Sequence, residues 1–91
     1  MAGDAAFDAA LQAIPEGVSR MRLRGQSWIV TRRTYASGRS VKLVAEALDG
    51  RGYVSMNYYR LRDGRALLKP CEMPAETVID FVLNARPVTD Q

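Results

Sequence analysis

Hydrophobic and polar positions alternate through the middle of this chain with a step of two. Between Arg39 and Leu48, Val41, Leu43, Ala45 and Ala47 share one parity, and Lys42 and Glu46 take the other. That is the pattern of a strand with one buried face. Asp49-Gly50-Arg51-Gly52 follows as a turn, and Tyr53 to Tyr59 returns as the next strand. Everything else hangs on this hairpin.

Ahead of it, Phe7, Ala10, Leu11 and Ile14 recur at helical spacing. They predict a short amphipathic helix capped by Asp4 and stopped by Pro15-Glu16-Gly17. Val18 to Arg24 then alternates, with Met21 and Leu23 on one parity and Arg20, Arg22 and Arg24 on the other. Ser27 to Tyr35 forms the next strand, with Trp28 and Val30 opposite Ile29 and Thr31; its facing stays open. Beyond Asp63-Gly64, Ala66 to Lys69 makes a fifth short strand. Pro74 opens a closing helix whose apolar face is Val78, Ile79, Val82 and Leu83, with Phe81 on a flank.

Short turns between successive strands imply an antiparallel meander. The expected fold is therefore α+β: a five-stranded antiparallel β-meander with an N-terminal and a C-terminal helix packed on one face, in the order α-β-β-β-β-β-α. One domain spans 1–91, with the first helix in 1–16, the sheet in 17–70 and the last helix in 74–86. Met21, Leu23, Val41, Leu43, Val54 and Met56 should be buried beneath Phe7, Leu11, Val78 and Val82.

Charge changes the picture more than composition does. The net charge of +3 hides a segregation. Residues 17–65 hold eleven of the thirteen basic residues and only Glu46, Asp49 and Asp63 as acids. Both flanks, where the helices fall, are net acidic. Three arginines on one strand parity cannot enter a core unpaired, so their face should see solvent or an anion. The acidic, polar N-terminus does not look like a signal sequence, and no apolar run approaches a membrane span. The expected setting is cytoplasmic.

The order of strands around Gly38-Arg39-Ser40-Val41-Lys42-Leu43-Val44-Ala45-Glu46 resembles the repeat of the purine-rich-element-binding (PUR) proteins. That stretch is similar to the family's third strand. Ser19 to Thr34 looks like its first hairpin, and Leu67 to Leu83 like its last strand running into a helix. The likeness covers residues 19–83. Beyond it, this chain has an N-terminal helix and extra length around Arg51 to Arg65. The resemblance implies a twisted sheet backed by a helix that pairs with a second copy and binds single-stranded nucleic acid.

The residues themselves point the same way. Arg20, Arg22, Arg24, Arg33 and Lys42 are placed to follow phosphates, and Tyr53 and Tyr59 to stack unpaired bases. A small protein–protein interaction or assembly module is the alternative. Enzymatic chemistry is not expected. The chain has no histidine, which removes the commonest general base and metal ligand, and its one cysteine, Cys71, has no imidazole partner. No metal site and no cofactor are expected. The expected partners are single-stranded DNA or RNA and a second copy in a homodimer, whose pairing would cover the edges of a small sheet.

Overall fold

The structure is a computed structural model and describes residues 4–88. The helix α1 (Asp4–Ala13) is followed by β1 (Gly17–Leu23), β2 (Gln26–Tyr35), β3 (Ser40–Ala47), β4 (Tyr53–Arg60) and β5 (Ala66–Pro70). The chain closes with α2 (Ala75–Asn84) and a two-residue strand, β6 (Arg86–Pro87). The sheet order is β5-β4-β3-β2-β1-β6, with every neighbouring pair antiparallel. The α+β meander expected from the alternation is therefore present, with both helices against one face.

The sheet has six strands rather than five. After α2 the backbone turns extended at Ala85 and runs back beside β1, pairing Arg86 with Arg22 and Pro87 with Met21. The Val88 N–H donates to the Arg20 carbonyl and extends the contact. A strand of two residues is too short to carry an alternation, so periodicity could not reveal it.

Alternation places the core. Met21 and Leu23, Trp28 and Val30, Val41, Leu43, Ala45 and Ala47, and Val54, Met56 and Tyr58 are all buried on one side of the sheet. Trp28 and Val30 settle the facing of β2, because the register sets them opposite Ala47 and Ala45 of β3. From above, α1 contributes Phe7, Leu11 and Ile14. The buried stripe of α2 is Val78, Phe81, Val82 and Ala85. Phe81 is thus central rather than flanking, and its ring meets Trp28 edge-on at 4.8 Å. Pro74 caps α2 from an extended conformation instead of forming its first turn. The two helices also lie against each other. That contact supports α1, which at ten residues would be marginal in isolation.

Arg32 also points to the core side and is 8% exposed. Its Nη1 donates to the Ile14 carbonyl at 3.0 Å and its Nη2 to Gln12 Oε1 at 3.2 Å. The guanidinium thereby satisfies a carbonyl left unbonded where α1 ends. Glu16 lies 3.9 Å away.

Candidate nucleic-acid interface

The face of the sheet away from the helices is assembled by register, strand by strand. Arg33 of β2 stands opposite Lys42 of β3, Lys42 opposite Asn57 of β4, and Asn57 opposite Lys69 of β5. One side of this polar row is flanked by Tyr35, Ser40, Tyr59 and Leu67. On the other side runs Val18, Thr31, Val44 and Ser55, followed by Arg20, Ile29, Glu46 and Tyr53. Arg22 closes the series beside Ser27 and Arg86. Rows repeat about every 7 Å along the strands, and strands lie about 4.8 Å apart.

Six of the seven residues singled out from the sequence lie on this face: Arg20, Arg22, Arg33, Lys42, Tyr53 and Tyr59. Arg24 does not. β1 ends at Leu23, and Arg24 sits in the turn with φ 47°, a left-handed conformation that breaks the alternation. Its guanidinium swings to the helix layer and binds Asp80 of α2. The expectation that three arginines project together therefore fails at the third.

The acidic helices do supply counter-charge, but around the rim and on the core side. Asp80 holds Arg24, and Asp8 of α1 holds Arg60. Hydrogen bonding from Arg24, with help from Asn84, keeps the Asp80 carboxyl below its ordinary pKa, and the same pairing raises Arg24. Glu16 accepts from the Thr34 hydroxyl at 2.7 Å and from its N–H at 3.0 Å. Those two bonds, with a smaller contribution from Arg32 and Arg33, also lower the Glu16 pKa. Of the open-face cations, Arg33 alone feels this counter-charge, weakly and through Glu16. Among the described residues, Arg20, Arg22, Arg33, Lys42 and Lys69 form no ion pair. Glu46 is the acid whose strand position aims it onto that face.

Comparison with known protein families, with characterised proteins and with solved structures yields no match.

Lys69 and Tyr35 belong to this face, and Arg86 lies at its edge with its guanidinium turned to the end of α2; none of the three is singled out by the sequence. Carrying parity across the Asp63-Gly64 turn would have placed Lys69 beside Asn57. Tyr35 lies at the end of a strand whose facing the sequence leaves open. Arg86 has no sequence signal at all. Cys71 continues the edge of β5, its N–H bonded to the Ser55 carbonyl, with its Sγ 4.0 Å from Asn57 Nδ2. No helix among the described residues is long and apolar enough to cross a membrane. No group of three or more acidic or cysteine side chains among them is placed to hold a metal.

Proposed function

We propose that this domain binds single-stranded DNA or RNA across the open face of its sheet. The supporting observation is the direct opposition of Arg33 and Lys42 on neighbouring strands. Like charges facing each other weaken an antiparallel pair, and an anion lying between them removes that cost. Arg20, Arg22 and Lys69 extend the positive track, and Tyr35, Tyr53 and Tyr59 offer rings at its margins. The resemblance of Gly38–Glu46 to the PUR repeat supports the same reading. The proposed role is binding without catalysis or a cofactor, in the cytoplasm and as a homodimer.

Fluorescence anisotropy with mixed-sequence single-stranded and duplex oligonucleotides, at low and moderate salt, tests this. Single strands should bind, and affinity should fall steeply with salt. Replacing Arg20, Arg33 and Lys42 by glutamine should lower the salt slope by about 0.7 for each phosphate that the variant no longer neutralises. Arg24→Gln should leave the binding of oligonucleotides with only hydroxyl ends unchanged.

A second reading rests on the apolar lane that crosses the same face. Val18 is 65% exposed, and Thr31 and Val44 continue its row half-buried. In that reading the face is a protein-assembly surface. Wild-type protein that binds no oligonucleotide at low salt, yet self-associates independently of salt, would replace the first reading with the second.

A further inference from the structure

At the edge of the sheet, Arg22 of β1 and Arg86 of β6 are direct cross-strand partners. This is a second opposition of like charges, and among the described residues neither arginine forms an ion pair. Arg86 is held in place: its Nη1 donates to the Leu83 carbonyl at 3.0 Å and the Ala85 carbonyl at 3.1 Å, where α2 ends. Facing this pair is Arg24, already tied to Asp80, and Asn84, whose Nδ2 donates to Asp80 Oδ1 at 2.8 Å. These side chains, with Gly25, Pro87 and Val88, line an open cleft of about 620 Å³.

The Asp80 charge is matched by Arg24, so two guanidinium charges remain. We propose that this cleft is a site for a phosphomonoester. A terminal phosphate carries close to two negative charges near neutral pH, whereas a backbone diester carries one. Arginine forks suit its oxygens, because each guanidinium can donate two parallel N–H bonds. Arg22 also lies on the open face, so the cleft stands where a strand crossing that face would leave the sheet. The terminal phosphate of a bound nucleic acid is thus the source that follows from the proposed function. The phosphate chemistry itself does not depend on it.

Two measurements on the full chain test the proposal. Isotope-labelled protein is titrated with inorganic phosphate at constant ionic strength, following the amides and arginine Nε–H signals. Shifts should concentrate at Arg22, Gly25 and Arg86. Oligonucleotides with a 5′-phosphate, a 3′-phosphate or only hydroxyl ends are then compared by anisotropy. A terminal phosphate should tighten binding about tenfold, the size of one charge-assisted contact. Arg22→Gln, on the exposed face and clear of the core, should abolish both the shifts and the tightening. Arg86→Gln should do the same with an unchanged far-ultraviolet spectrum, and Arg62→Gln should change neither. Phosphate shifts scattered over the surface, or equal binding of all three oligonucleotides, would overturn the site while leaving the open-face reading intact. Localised phosphate shifts without any oligonucleotide binding would support the site and overturn the open-face reading.

Discussion

Gly52 lies directly beneath the indole of Trp28. A Cβ at this position would stand 2.5 Å from Trp28 Cη2 and 2.9 Å from Cζ2, far inside van der Waals contact. The ring cannot simply retreat, because Phe81 meets it from the helix layer at 4.8 Å. Gly52→Ala should therefore destabilise the fold by about 1–3 kcal/mol, the range for overpacking a core. Trp28 is the single tryptophan, so its emission reports both the displacement and the urea midpoint. An unchanged midpoint would show that the ring has more room than the packing implies.

Arg32 fastens α1 to the sheet. Its guanidinium bonds the Ile14 carbonyl and the Gln12 side chain, while its Nε is buried without an acceptor. Arg32→Ala removes the bond to a buried carbonyl and leaves space behind it. A loss of about 2–3 kcal/mol is expected. The loss should be local first, so hydrogen exchange should accelerate in α1 more than in β3. Equal acceleration in both would mean that the arginine supports the core as a whole and not this helix.

Acid stability should depend on two surface carboxylates. Asp80 and Glu16 both ionise more readily in the folded chain than in an unfolded one. A depressed folded pKa contributes stability above the unfolded value, near 4, and that stability is lost as pH falls through the folded value. Both groups are open to solvent, so the effect should be small and should shrink further in salt. The variant with Asp80→Asn and Glu16→Gln should show a shallower fall in melting temperature between pH 5 and about pH 2. A fall as steep as wild type would place the acid sensitivity elsewhere.

Most of the fold is legible in the sequence because two simple signals agree. Val41, Leu43, Ala45 and Ala47 alternate without interruption, and Asp49-Gly50 and Asp63-Gly64 mark where strands turn back. Ten positions expected in the core on this basis, from Phe7 to Val82, are buried. The errors occur where a backbone departs from regularity. Parity predicts where Arg24 points only while β1 continues, and β1 stops one residue earlier. A stripe drawn through Ile79 and Leu83 leaves Phe81 on a flank, yet 78, 81, 82 and 85 form the narrower stripe that the sheet actually receives. The six open-face residues are legible for the same reason as the core, since parity fixes both sides of a sheet at once. The cleft at Arg22 and Arg86 is not, because it joins residues from opposite ends of the chain through a strand too short to recognise.

The helices that cover the sheet come from opposite ends of the described chain, α1 before the first strand and α2 after the fifth. During synthesis the hairpins can therefore pair as they emerge, each with its neighbour in sequence. Their apolar side stays half roofed until Ala75–Asn84 has left the ribosome. Val54, Met56 and Trp28 then wait on a single late segment, and a nascent chain stalled before it presents a greasy sheet to whatever chaperone is nearest.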